Sequence, residues 1–278
     1  DALPILGTPD DPFQSLIGWA EDPLVNITVM ALIVLGGLGF FVWSDVWDKH
    51  SFRRLSLRTK IVLTATAGLL LFGFGWTLLF EWSNPATLGA FDTPHKLLAA
   101  AFESVTLRTA GFNTIDLGAL TGPSQAVSCL LMFIGGSPGS TAGGIKTVTA
   151  AVLVLTAISA FCGRTTVSAF GRTIAPRSIM NAVTLLMAGG VLCLVGACAI
   201  AGIEDAPFHQ CLFEAVSAFG TVGVSMGLTP TLAAASRVIL IVMMYMGRVG
   251  VLTLGVAVFM RRREPPRLKY PDADVFIG

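Results

Sequence analysis

Long apolar stretches constrain the fold of this chain more than any other feature of its sequence. Uncharged runs extend over 24–44, 61–80 and 178–203, and a fourth apolar run, 238–260, contains a single charge, Arg248. Each run can cross the hydrocarbon core of a bilayer, which takes about 20 residues of helix. Charged residues make up only 13% of the chain, about half of the roughly 25% typical of soluble domains. The sequence therefore predicts an all-α polytopic membrane protein and disfavours soluble enzymes.

A further apolar zone, residues 122–162, is too long for one straight helix. A helix of about 40 residues would extend about 60 Å, twice the thickness of the hydrocarbon core. The segment 135–144 (GGSPGSTAGG) contains five glycines and one proline, residues that interrupt a helix. We predict two helical halves joined by a loop within the membrane. Lys146 follows this loop, and its ammonium group can contact loop carbonyls or extend to the cytoplasmic interface; the sequence leaves both open.

The basic residues mark one side of the predicted membrane. Thirteen of the 18 Lys and Arg residues fall in 47–60, 163–177 and the tail from 261, whereas acids such as Glu81 and Glu204 occupy the alternate loops. By the positive-inside rule, the three basic segments are cytoplasmic. We therefore expect a multi-pass protein of the cytoplasmic (inner) membrane with its C-terminus in the cytoplasm.

Two short segments share a pattern that ends in a glycine-centred loop. Residues 94–108 and 207–219 are predicted half-helices, too short to span, and contain the similar sequences FESVT and FEAVS. We expect Thr93 to cap the first one, with Pro94 at its first helical position. A long apolar helix follows each loop, so a unit of span, half-helix, loop and span occurs twice. The loop residues are Thr109, Ala110, Gly111 and Phe112 in the first copy and Thr221, Val222, Gly223 and Val224 in the second.

Such a unit suits a monovalent cation. The carbonyl end of a half-helix carries partial negative charge, and a glycine loop can turn carbonyls toward an axis to replace a hydration shell. Non-helical backbone at this depth is tolerated where it lines a cavity or is buried in protein. Two re-entrant loops that merely pack the bundle are the less favoured alternative, because tandem copies with a filter-like Thr-x-Gly sequence are rare as packing devices. Glu103 and Glu214 are candidate ion ligands, but we favour a role in anchoring each loop by accepting backbone N–H bonds.

Other motifs are weaker. Residues 139–147 nearly match a phosphate-binding loop, but Ile145 separates Gly144 from Lys146, and an apolar span rather than a strand precedes the segment. The three histidines are scattered and the five cysteines have no paired spacing, so neither a metal cluster nor a catalytic triad is expected.

The matching segments resemble the potassium-translocating membrane subunits of the Trk/Ktr/HKT superfamily, most of all the bacterial Ktr type. The resemblance is carried by 103–113, 135–147, 214–225 and 247–250. It implies a potassium-channel-like unit repeated four times in one chain, and hence that this sequence is the C-terminal portion of a longer transporter. The implied division is 1–57 (outer loop and last span of the second repeat), 58–163 (third repeat with a broken second span), 164–260 (fourth repeat) and 261–278 (cytoplasmic tail).

The resemblance also implies roles for the loops. Residues 109–112 and 221–224 would be the third and fourth quarters of a filter that binds potassium at its carbonyls. An unpaired charge inside a span costs at least about 2.5–3.5 kcal/mol, so we expect Arg248 to be buried and to face the loop carbonyls. The implied gate consists of Gly135, Gly136, Ser137, Pro138, Gly139, Ser140, Thr141, Ala142, Gly143, Gly144, Lys146 and Arg248.

Two functions remain from the sequence. The first is potassium uptake, gated by the intramembrane loop and Arg248 and sodium-dependent by resemblance, with a homodimer in the membrane and a cytosolic ring of nucleotide-binding regulatory subunits as partners. No cofactor and no nucleic acid are expected. The second is a non-transporting scaffold or regulatory subunit that keeps a pore-like fold. Potassium and sodium selectivity stay open, because the first filter quarter lies outside the sequence.

Overall fold

Nine α-helices and a two-stranded hairpin form residues 15–250, the part of the chain that the computed structural model describes. Short 3-10 turns connect several of them. The elements are α1 (Pro23–Leu38), α2 (Phe40–Lys49), α3 (Leu57–Glu81), α4 (Thr93–Thr106), α5 (Gly122–Phe133), α6 (Thr147–Phe161), β1 (Ser168–Ala169), β2 (Arg172–Thr173), α7 (Pro176–Glu204), α8 (Phe208–Gly220) and α9 (Ala234–Val249).

Within residues 15–250, α3 and α7 are each long and apolar enough to cross a membrane, and the bent pair α1–α2 is a third candidate. The prediction of one continuous span over 24–44 is wrong, because the chain turns by 88° between α1 and α2. Gly39 stands at this turn with φ +81, and a Cβ there would lie 2.8 Å from the carbonyl oxygen of Pro138. A close backbone approach, which the local sequence does not reveal, thus bends the helix.

The predicted break in the 122–162 zone is confirmed. Helix α5 ends at Phe133 and α6 begins at Thr147. Ile134 and Ile145 form a parallel bridge at the neck, with the Ile145 N–H donating to the carbonyl of Phe133 at 3.1 Å. The glycine-rich segment is therefore a closed loop between two half-length helices, and it is called the gate loop (residues 135–144) below.

The two predicted half-helices are α4 and α8. Helix α4 packs against α1 and α3, and α8 packs against α5, α7 and α9. The side chains of Phe102 and Phe213 are fully buried, which gives each half-helix a core anchor at the same place in its motif. The predicted cap of α4 shifts by one residue, because Asp92 is the N-cap and Thr93 is already helical.

The first two basic segments meet on one face of the described protein. The rings of Phe52 and Phe170 lie 6.2 Å apart in an edge-to-face arrangement, and the ammonium group of Lys60 lies 5.9 Å and 6.0 Å from their centroids. This contact joins the loop before α3 to the β1–β2 hairpin, as a shared side of the membrane requires. The tail from 261 and the last part of the 238–260 run lie outside the described residues.

Candidate functional site

The two glycine-centred loops adopt the same alternating backbone. Thr109 and Gly111 have φ values of +69 and +83, and Thr221 and Gly223 have +52 and +91. Threonine rarely adopts the left-handed region, so its appearance at the same place in both loops is a shared feature of the repeat. These two loops, 109–112 and 221–224, are called filter loop 3 and filter loop 4.

Most carbonyls of the filter loops are unengaged. Within residues 15–250, no hydrogen bond reaches the carbonyl oxygens of 109–111 or 221–223. The fourth carbonyl of each loop is bound by a hydroxyl group: Thr106 donates to Phe112, and Ser217 donates to Val224 at 2.6 Å. The residues that carry these oxygens are buried or half-buried, and three unengaged carbonyl oxygens per loop are a set of ligands suited to a cation. The described residues contain no cluster of three His, Cys, Asp or Glu side chains that could hold a metal.

Glu214 anchors the segment that follows filter loop 4. Its carboxylate accepts hydrogen bonds from the Ser225 hydroxyl, the Met226 N–H at 3.1 Å and the Thr229 hydroxyl at 2.7 Å. The anchoring role that we favoured for this glutamate is met in part, because one of these three donors is a backbone N–H, two are hydroxyl groups, and all three follow the loop. Glu103, its counterpart on α4, is also buried, but within the described residues neither carboxylate oxygen has a hydrogen-bond partner.

The gate loop packs directly on filter loop 4. A Cβ at Gly143 would lie 2.4 Å from Oγ1 of Thr221, and one at Gly144 would lie 3.3 Å from Cα of Gly220. On its other side the loop is held by the α1–α2 turn, because the Ser137 N–H donates to the Gly37 carbonyl at 3.0 Å. Glycine at these positions permits a backbone-to-backbone fit, so the loop lies between a filter segment and a bent helix.

Lys146 engages the gate loop. Its ammonium group donates to the carbonyl of Ala142 at 2.5 Å, and the side chain is partly buried. Of the two orientations that the sequence leaves open, the structure has the one directed to the loop. The loop also closes on α6 through the Thr147 N–H, which donates to the Gly136 carbonyl at 3.1 Å.

Arg248 is exposed rather than buried in the described part of the chain, and it makes no hydrogen bond there to the gate loop. The reason lies one residue earlier. A Cβ at Gly247 would lie 1.8 Å from the carbonyl oxygen of Phe219, so this glycine faces α8 and turns Arg248 outward.

Sequence reasoning missed Arg108, the residue before filter loop 3. Only 7% of it is exposed, and its Nη2 donates to the carbonyl of Gly135 at 3.1 Å. Its Nε and Nη1 have no partner within residues 15–250. Arg108 is the one basic residue in the FESVTLRTAGFN motif. A single charge in an otherwise mostly uncharged half-helix could have identified it as a candidate site residue.

Half-helices that end in glycine-centred loops, next to a broken helix, are the arrangement expected of a membrane ion-transport protein. The chain belongs to the TrkH family, described as "cation transport protein", whose sequence model matches residues 11–264. The family consists of membrane ion transporters and not of enzymes.

Named relatives agree with this assignment. The chain is 39% identical to the Ktr system potassium uptake protein B of Bacillus subtilis, over 95% of this chain and 59% of that protein. It is 38% identical to the potassium/sodium uptake protein NtpJ of Enterococcus hirae, over 95% of this chain and 60% of that protein. The chain thus spans about three fifths of the length of these relatives.

A solved structure has the same fold. The potassium transporter TrkH of Vibrio parahaemolyticus matches with a TM-score of 0.71 and 18% identity, over 93% of this chain and 56% of that one. The all-α membrane fold predicted from the sequence is therefore confirmed.

Proposed function

We propose that the full-length protein takes up potassium across the cytoplasmic membrane, with filter loops 3 and 4 as two quarters of its selectivity filter. The observation that carries this proposal is the set of free carbonyls at 109–111 and 221–223. Carbonyl dipoles can replace the hydration shell of a potassium ion. The C-terminal ends of α4 and α8 lead directly into these loops, and their dipoles add negative potential.

The gate loop, residues 135–144, controls the pathway in this proposal. Its contact with Thr221 sets it against filter loop 4, where it can obstruct the passage of an ion. Lys146 on the gate loop side and Arg248 on α9 complete the gate as fixed cations, since positive charge beside the pathway raises the barrier to another cation. The exposed position of Arg248 leaves it free to meet the loop in another state.

The division of the chain follows from the same proposal. Residues 1–57 end the second repeat, 58–163 form the third, 164–260 form the fourth, and 261–278 form a cytoplasmic tail. The meeting of two basic loops through Phe52 and Phe170 supports a common cytoplasmic side. The protein works as a membrane homodimer on a cytosolic ring of nucleotide-binding regulatory subunits, and its uptake depends on sodium. The name "Ktr system" of one relative supports a separate partner subunit, and the name "potassium/sodium uptake protein" of another supports a role for sodium. The homodimer and the nucleotide-binding ring rest on the family resemblance of the sequence alone.

Ion flux into proteoliposomes tests the function. The full-length protein is reconstituted, and rubidium uptake is measured with potassium or sodium as the competitor. We expect uptake that potassium competes for and that a mutation in filter loop 4 alters. A scaffold or regulatory subunit with a pore-like fold would give no protein-dependent flux, and such a result in correctly folded protein would overturn the proposal.

A further inference from the structure

A buried arginine links filter loop 3 to the gate loop. Arg108 lies between the last turn of α4 and Thr109, and its guanidinium donates to Gly135, the first residue of the gate loop. The same side chain lines a small cavity with Gly136 of the loop and with Gly37 of α1. One side chain therefore binds the gate loop and borders a cavity that the loop shares with α1.

The cost of burying the Arg108 guanidinium must be offset by interactions that the side chain makes. Taking a cation out of water costs several kcal/mol unless it is paired. Arg108 has one carbonyl partner and no carboxylate partner within residues 15–250. The C-terminal dipole of α4 supplies part of the compensation. An apolar residue would pack here without the desolvation cost, so the hydrogen bond to the gate loop is the interaction that only a long cationic donor provides.

The fourth repeat provides an internal comparison. The sequence MFIGG at 132–136 lines up with MYMGR at 244–248, so Gly135 corresponds to Gly247. Gly247 packs directly on the backbone carbonyl of Phe219 at the end of α8. In the third repeat, the Arg108 side chain, which follows α4, instead makes a hydrogen bond to the matching glycine, Gly135. A side chain replaces a rigid backbone contact, and a side-chain contact can be broken without unfolding the helix.

We propose that Arg108 is a positioning residue that holds the gate loop in its packed, obstructing arrangement through the Gly135 carbonyl. The proposal rests on the function proposed above. Loss of the bond frees the first residue of the loop and shifts the gate toward opening. A charged hydrogen bond of this kind corresponds to a change of about tenfold or more in the ratio of closed to open protein.

The test compares four forms of the full-length protein in proteoliposomes: the parent, Arg108→Met, a form lacking residues 139–143, and the combination. We expect Arg108→Met to raise rubidium flux, and to raise it no further when the loop is already shortened. Selectivity against sodium should not change. Additive effects of the two changes, or altered selectivity with unchanged flux, would overturn the proposal.

Two controls keep the test decisive. Arg237→Met removes another arginine that donates to a loop carbonyl, that of Pro230 at 3.0 Å before the start of α9, and it should leave flux unchanged. If Arg108→Met does not reach the membrane, Arg108→Lys replaces it, with a smaller gain in flux expected.

A second readout does not depend on transport. In a background without native cysteines, Ala142→Cys places a thiol at a buried position of the gate loop, which a maleimide reaches only when the loop is displaced. Arg108→Met or Arg108→Lys should increase its rate of labelling by a maleimide, and an unchanged rate would contradict the proposal even if the transport function itself failed its own test.

Discussion

The hydroxyl group of Ser217 lies 2.6 Å from the carbonyl oxygen of Val224, so the half-helix α8 binds the end of the loop that it leads into. Thr106 makes the same bond to Phe112 in the preceding repeat. The bonded residues are seven positions apart in one repeat and six in the other. Both repeats therefore make the bond although one motif is a residue longer. Each filter loop is tied at its far end to its own half-helix.

Ser217→Ala should destabilise filter loop 4, because it removes this bond and leaves a buried carbonyl unpaired. The expected cost is about 1–3 kcal/mol, measured as a lower unfolding temperature in detergent together with weaker discrimination of rubidium from sodium. Ser217→Thr is the matched control, since threonine holds the equivalent place at Thr106. Equal behaviour of the two variants would contradict the role of the hydroxyl.

Gly223→Ser should abolish or relax potassium selectivity in the full-length protein. Gly223 has φ +91, where a side chain is strained by about 1–2 kcal/mol. Gly227→Ser is the control, because Gly227 has φ +90 and open space around it but lies outside the filter loop. Gly111→Asp in filter loop 3 should act as Gly223→Ser does. Unchanged uptake and discrimination in both filter variants would exclude the filter assignment.

Removal of residues 139–143 should raise flux. The deletion removes Gly143, which packs on Thr221, and Gly139, whose carbonyl accepts a hydrogen bond from the Phe40 N–H at 3.3 Å. Rubidium uptake per molecule of membrane-inserted protein is the measurement. A level or lower flux in protein that is present in the membrane would mean that the loop is not a gate.

The two half-helix glutamates should respond differently to mutation. Glu214→Ala leaves three donors without an acceptor and should cost about 3 kcal/mol or more of stability. Glu103→Ala removes no hydrogen bond seen within residues 15–250, and it should cost only the packing of its methylene groups. Thermal unfolding of both variants in the same detergent checks this. A larger loss for Glu103→Ala would show that a partner of Glu103 is essential.

The start of α4 should be sensitive to pH. Hydrogen bonding to Asp92 raises the pKa of His95 above 6.5, and the same bond lowers the pKa of Asp92 below 3.8. The stability that protonated His95 gives to the start of α4 is fully present below pH 6.5 and is lost as the pH rises through the raised pKa. The stability that ionised Asp92 gives is present above pH 3.8 and is lost as the pH falls through the lowered pKa. The bond should therefore be strongest between these values. Hydrogen exchange at 93–97, with His95→Gln as the control, measures the effect.

The broken helix and the half-helices could be predicted from the sequence because their causes are local. Five glycines and a proline stop α5 and α6 whatever surrounds them. The turn at Gly39 could not be predicted, since it depends on Pro138, which lies about 100 residues further along the chain. A single glycine in an apolar run is also compatible with an uninterrupted helix.

The candidate site also has features that the sequence predicts and features that depend on distant contacts. The filter loops were found from a repeated motif, which a single chain can display. The bond from Arg108 to Gly135 and the outward turn of Arg248 depend on how α4 and α9 meet distant backbone. The contrast between Glu103 and Glu214 likewise arises from partners that the motif does not contain, such as Thr229.

In the function proposed above, the contact between Gly143 and Thr221 makes the ion itself an effector of the gate. Because the gate loop and filter loop 4 share a surface, any change that occupancy causes in the filter alters the energy of the loop. Thermodynamic linkage is reciprocal, so an ion that binds more tightly when the loop is displaced must also favour that displacement. External potassium would then set its own rate of entry, with no regulatory protein required for this part of the response.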